Sequence, residues 1–317
     1  MMRILIVGAT SMIGATLAER LLHQEHQAIA VIRPKSSKRQ KIKKLPMTES
    51  ILCSMEDYGT LSERIKGKVD AAVLLAWNGI RGQARMDAAI QQQNETCYAQ
   101  LLPELEKLGC HTIMTAGSQA EYGPWYSEQA QSEEAPTCPN TEYGKSKLRF
   151  YHMAHAFCQG RGIRLIEPRL FSVYGPNDDE NTLIMSLLRL MLKNEPCHMT
   201  ACVQMWDYVY IDDVVTGLVK LLTEDHPGGV YNFGSGDCRP LKEYVEEIYR
   251  ITGSRSALHY GAVPYPVTGM VNIHPNVSKL RSTGWTPAVT FAEGIRQILK
   301  EKDKRSSYNT DGGERKI

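Results

Sequence analysis

The chain begins with a short apolar run, "RILIVGAT", that ends at Gly8 and reads as a buried strand. "MIGATLAERLLHQ" then reads as a helix, and "AIAVIRP" as a second strand closed by Pro34. Three further apolar runs, "AAVLLA" after Asp70, "HTIMTA" and "IRLIEPRLF", predict strands, with helical segments over 94–108 and 143–159 between them. Strands alternating with helices specify an α/β fold built on a doubly wound parallel sheet.

The pattern changes after Phe171. "TLIMSLLRLMLKN" reads as a helix, "WDYVYIDDVVTGLVKLL" as a strand and then a helix, and "PLKEYVEEIYRITG" as an amphipathic helix opened by Pro240. This predicts a sheet domain over 1–170, completed by returning segments near 207–235, and a smaller lobe drawn mainly from 171–300. Residues 301–317, charged and nearly free of apolar anchors, are expected to be a flexible tail.

Composition narrows the function classes. The 317 residues are 42% hydrophobic and 23% charged, ordinary globular usage, and can bury a large core. A net charge of +2 gives no reason to expect a nucleic-acid or membrane partner. The one strong basic run, Lys35 to Lys44, is either a solvated loop or a local anion site. Eight scattered cysteines with no C-x-x-C fit reduced thiols in a cytoplasmic protein, and the brief apolar start does not read as a secretory signal.

A glycine turn between a strand and a helix, "GATSMIG", is where a dinucleotide pyrophosphate sits against backbone N–H groups and the positive end of the helix dipole. Gly8, Thr10, Ser11, Met12, Ile13 and Gly14 are therefore candidate cofactor contacts. The second strand ends at Arg33, followed by Lys38 and Arg39, where an acidic residue would favour NAD. Cations there accommodate a 2′-phosphate, so NADP(H) is expected ahead of NAD(H).

In "TEYGKSKL", Tyr143 and Lys147 are four apart and share one helix face, a possible proton-transfer pair, while Lys145 points elsewhere and is expected in solvent. Ser118 precedes Tyr143 by 25 residues at the end of a predicted strand. With "DAAVLLAW", Asn94, "GSQAEYG", "YGKSK", "PRLFSVYGP", "WDYVYIDDV", "YNFGSG" and "STGWTP" in order, residues 3–299 resemble the extended short-chain dehydrogenase/reductases of the NAD-dependent epimerase/dehydratase family. The resemblance implies a Rossmann-type fold in which Ser118 hydrogen-bonds the reacting oxygen and Tyr143 exchanges the proton. Lys147 would orient the ribose and tune Tyr143, Ala76 would contact the cofactor, and Asn94 would be either a structural or a water-relay residue. It also implies a sugar substrate, usually nucleotide-activated, and a homodimer formed through the helices near 94–108 and 143–159.

The departures from the family pattern narrow the chemistry. Ser11 stands where the family has glycine, a less comfortable choice if that position needs a positive φ. Dehydrating members carry Asp and Glu just after the catalytic serine or threonine; here stand Gln119 and Ala120, with Glu121 one step further. That leaves a 4-keto-sugar reductase using NADPH as the first reading and a 4-epimerase with retained NAD as the second. A dinucleotide-sensing protein without chemistry is a third. Trp206 and Tyr265 replace two expected phosphate-binding arginines, and Ser172 a frequent asparagine. These three and Gln119 are candidate substrate contacts, and Arg169, Arg239 or Arg281 are possible sources of the missing charge. His152-x-x-His155 lacks a third ligand and Asp212-Asp213 reads as a helix start, so no metal site is expected.

Overall fold

The structure, a computed structural model, describes residues 1–36, 42, 49–266 and 269–311, with side chains described through residue 304. In chain order, β1 (Arg3–Val7) leads through α1 (Met12–His23) to β2 (Gln27–Ile32), β3 (Glu49–Leu52) and β4 (Ala71–Leu74). Then come α2 (Ala88–Lys107), β5 (Thr112–Thr115), α3 (Glu142–Cys158) and β6 (Arg164–Leu170). The sheet is parallel in the order β3-β2-β1-β4-β5-β6, extended beyond β6 by a last strand from the C-terminal half. The predicted doubly wound, Rossmann-like sheet is what forms.

Strands in such a sheet are covered on both faces, which is why β1 and β4 are apolar without alternation. Ile4 and Ile6 enter one core with Leu17, Leu21 and Ala30, whereas Leu5 and Val7 enter the other with Leu74, Leu101 and Phe150. The short edge strand β3, "ESIL", was not among the strands expected from the sequence. It has no apolar run to announce it, and pairing of Ile51 with Val31 supplies its place.

From the second half come β7 (Ser172–Tyr174), α4 (Leu183–Met191), β8 (Tyr208–Tyr210), α5 (Ile211–Thr223), β9 (Gly229–Phe233), α6 (Leu241–Thr252) and α7 (Phe291–Asp311). β9 returns to pair with β6, and β7 pairs with β8 beside the carboxyl ends of the main sheet. The expected tail from residue 301 differs at its start: α7 continues to Asp311. Glu301, Lys302, Lys304 and Arg305 are good helix formers and neither glycine nor proline interrupts 301–311, and the Lys304–Glu301 pair one turn apart and the Lys302–Glu180 pair add support.

Candidate active site

The glycine turn places β1 against α1. Gly8 has φ +93°, and a Cβ there would meet the Ala76 nitrogen at 2.7 Å. At Gly14 a Cβ would come within 2.5 Å of the Gly8 carbonyl oxygen, so this glycine permits close helix–strand packing. Ser11 needs no positive φ: at φ −67° it is the N-cap of α1, its Oγ accepting from the Gly14 N–H at 3.0 Å. The strain anticipated for a serine at this position is absent.

A groove of about 340 Å³ runs over this turn, lined by Gly8, Thr10, Ser11 and Ala76 together with Arg33 and Lys35. A helix start, a small-residue floor and two cations could hold a dinucleotide. Met12 and Ile13 line the adjoining cavity. Asn94 is fully buried and holds the backbone of Asn78 from both sides, accepting from its N–H and donating to its carbonyl, each at 3.0 Å. It shapes the groove wall from behind. Lys38 lies outside the described residues.

The second cavity, about 420 Å³, contains Ser118, Tyr143 and Lys147. Gly117–Ser118 extends the sheet as a two-residue strand beside β6, and Thr141 caps α3 by accepting from the Gly144 N–H at 3.0 Å. Tyr143 faces Ser118 across the cavity, and one turn on Lys147 Nζ donates to the Ala116 carbonyl at 3.0 Å. Burial lowers the Lys147 pKa to about 7 and raises that of Tyr143, the latter opposed by the Ser118 side chain and the Arg85 charge. The Arg85 guanidinium lies 4.4 Å from the Tyr143 ring centroid, closer than Lys147 Nζ at 5.9 Å. Sequence reading missed Arg85; its only signal was an arginine repeat, Arg81 and Arg85, in the loop after β4. Lys145 is half-exposed and pairs with Glu142 at 2.7 Å.

Beneath the site lies a buried ionic cluster. Glu121 accepts from the Ser118 backbone N–H at 2.7 Å and from Arg169 Nε at 3.1 Å, and Arg169 Nε also reaches Glu167 at 3.1 Å. Burial and the neighbouring Glu121 charge hold the Glu167 carboxyl well above its ordinary range. Arg169 is thereby committed to carboxylates and does not supply a phosphate contact. Arg239 pairs with Glu247 and Asp237, and Arg281 donates to the Ser235 carbonyl at 3.2 Å; neither lines the catalytic cavities.

A third cavity, about 380 Å³, shares Ser118, Tyr143 and Leu170 with the second and adds Gln119, Ser172 and Trp206. Three of the four candidate substrate contacts thus meet here. Tyr265 does not join them; its hydroxyl donates to Gln204 Oε1 at 2.9 Å. Ile80 lines all three cavities, which therefore adjoin one another. Elsewhere, His152 and His155 are exposed on α3, and Asp213 accepts from the Ala288 and Val289 N–H groups. Among the described residues no His, Cys, Asp or Glu group of three or more is arranged to hold a metal, and no helix is long and apolar enough to cross a membrane.

Known proteins share this architecture. CDP-abequose synthase of Salmonella muenchen is 26% identical over 319 residues, covering 95% of this chain and 98% of that protein. A UDP-glucose 4-epimerase of Thermotoga maritima, solved with UDP-glucose, superposes with a TM-score of 0.85 at 22% identity, over 96% of this chain and 100% of that one. MoeE5, solved with UDP-glucuronic acid and NAD, gives a TM-score of 0.82 at 22% identity, over 96% and 99% of the two chains. The family model "NAD dependent epimerase/dehydratase family" matches residues 4–234, most of the chain, so the chain belongs to that family.

Proposed function

We propose that the protein reduces a 4-keto sugar carried on a nucleotide, using NADPH. The observation that carries this reading is the meeting of Ser118, Tyr143 and Lys147 where the dinucleotide groove joins the Gln119–Trp206 cavity. The nicotinamide, when bound, supplies hydride to the carbonyl carbon. Tyr143 gives its phenolic proton to the carbonyl oxygen, and the Ser118 hydroxyl stabilises the charge developing there. Lys147, held by the Ala116 carbonyl, orients the ribose and replenishes positive potential beside Tyr143.

Dehydration is disfavoured by position as well as by residue type. Gln119 lines the cavity without an ionisable group, and Glu121 is wholly buried beneath it, committed to Ser118 and Arg169. Arg33 and Lys35 at the groove mouth favour the 2′-phosphate of NADP(H). A 4-epimerase with retained NAD is the second reading, favoured by structural neighbours that carry NAD. The proposed assembly is a homodimer packed through α2 and α3. Denaturing the purified protein and identifying the released dinucleotide, with NADPH and NADH affinities measured alongside, separates the readings. An empty protein that prefers NADPH supports the reductase; stoichiometric NAD supports the epimerase.

A further inference from the structure

The third cavity has a charge imbalance at its centre. Its cations are Arg81 and Arg85 and its one carboxylate is Asp178, which Arg81 already engages at 3.2 Å. Arg85 is left with the Ile80 carbonyl, at 3.1 Å from Nη1, and the face of the Tyr143 ring; among the described residues no carboxylate pairs with it. The surrounding wall mixes apolar Leu170, Phe171, Val173, Leu183 and Ile184 with Ser172, Thr182 and three tyrosines. Arg85 is half-buried, and the desolvation of its guanidinium is offset when a counter-charge arrives.

Two further groups in the same wall await partners. Trp206 Nε1–H is a buried donor and Gln119 Oε1 a buried acceptor, and neither has a hydrogen-bond partner within the protein. Buried polar atoms without partners are uncommon, and both belong to residues that line this cavity, so a ligand that settles against that wall is the natural source of their hydrogen bonds. A cation and a neutral donor suit an oxyanion, whereas the amide oxygen suits a sugar hydroxyl.

We propose that Arg85, assisted by the Trp206 indole N–H, is the recognition site for an oxyanion that the substrate carries close to its reacting carbon. The inference rests on the sugar-nucleotide reading above and adds to it the chemistry of the substrate. Contact between Arg85 and the Tyr143 ring places the charge beside the proton-transfer group. A carboxylate on the sugar ring, next to the carbon that exchanges hydride, has both this chemistry and this position; the diphosphate, across the ring on the anomeric carbon, has the chemistry without the position.

Calorimetric titration of the NADP-loaded protein with UDP-glucuronate, UDP-glucose and UDP separates the sources. If the sugar carboxylate is the anion, wild type prefers UDP-glucuronate over UDP-glucose, and Arg85→Gln lowers affinity for UDP-glucuronate by about tenfold or more while UDP-glucose is unaffected. If the diphosphate is the anion, the same variant weakens all three ligands alike. Arg85→Lys retains part of the affinity in either case. Trp206→Phe, which keeps the ring and removes the N–H, weakens the same ligands several-fold and serves if Arg85→Gln fails to fold. Wild-type affinities for all three ligands in both Arg85→Gln and Trp206→Phe would overturn the site while leaving the sugar-nucleotide reading intact. Failure of the wild-type protein to bind any of the three or their CDP and dTDP counterparts would remove that reading, and this site with it.

Discussion

The ammonium of Lys147 lies 3.6 Å from the centroid of the Trp77 ring, pressed against an aromatic face and bonded to the Ala116 carbonyl. The indole is itself fixed, stacked on Tyr98 with ring centroids 5.5 Å apart and donating from Nε1 to Gln91 at 2.8 Å. Aromatic and carbonyl contacts hold a cation in place but do not replace water in full, and burial brings the Lys147 pKa down to about 7. The charge on this lysine therefore changes near neutral pH.

This makes Lys147 a liability for folding at low pH. The unfolded chain holds the proton up to about pH 10.4, the folded protein only to about 7. Below pH 7 the lysine is charged in both states and its burial penalty is fully present; between the two values the unfolded state binds more protons and wild-type stability rises with pH. Lys147→Met should therefore melt above wild type near neutral and acidic pH, with the gap closing toward about pH 10. Calorimetry across that range checks it, and a gap independent of pH would show that the lysine is not the source.

Tyr143→Phe removes the transferable proton but keeps the ring that packs under Arg85. Turnover should fall about 10²–10⁴-fold with dinucleotide affinity unchanged, measured by nicotinamide absorbance and by fluorescence titration. Residual activity within twofold of wild type would sink the assigned role of the phenol.

Arg33 is exposed at the mouth of the groove, so its replacement should spare the fold. Arg33→Ala should weaken NADPH by about tenfold and NADH by much less, since only the former carries the 2′-phosphate. Equal losses for the two would place the side chain elsewhere than on that phosphate.

Glu121→Ala leaves Arg169 facing the protonation-prone Glu167 alone and frees the Ser118 N–H. Removing one member of a buried ionic cluster costs about 3–5 kcal/mol, which urea unfolding resolves readily. A change below about 1 kcal/mol would mean that the cluster relaxes around the loss.

How far the sequence reveals this molecule depends on whether a feature is local. β1, β4, β5 and β6 are short apolar runs bounded by turns, and such runs become strands wherever the sheet needs buried ones. Ser118, Tyr143 and Lys147 were legible because helix geometry and motif order fix them together. Glu121 was not: next to Gln119 and Ala120 it reads as a neighbour of the substrate, yet the turn after Ser118 rotates its carboxylate inward as a cap on that residue's backbone. Arg85 was invisible for a related reason, since its contact with Tyr143 depends on how the loop after β4 folds back, and a loop has no periodicity to read. At Ser11 the resemblance suggested strain, and the backbone took an N-cap geometry in which serine is a favoured residue.

The run from Ala116 to Glu121 has a mechanical consequence. Its first carbonyl holds Lys147, its third residue meets Tyr143, and its last returns to clasp the third, while Ala120 packs so tightly on the start of α3 that a Cβ on Gly144 would approach its carbonyl oxygen to 2.2 Å. All three reacting side chains are thus bolted to one short stretch of sheet edge and one helix. A displacement of the segment carrying Trp206 would leave the mutual placement of Ser118, Tyr143 and Lys147 unchanged, and alter only the wall that faces them.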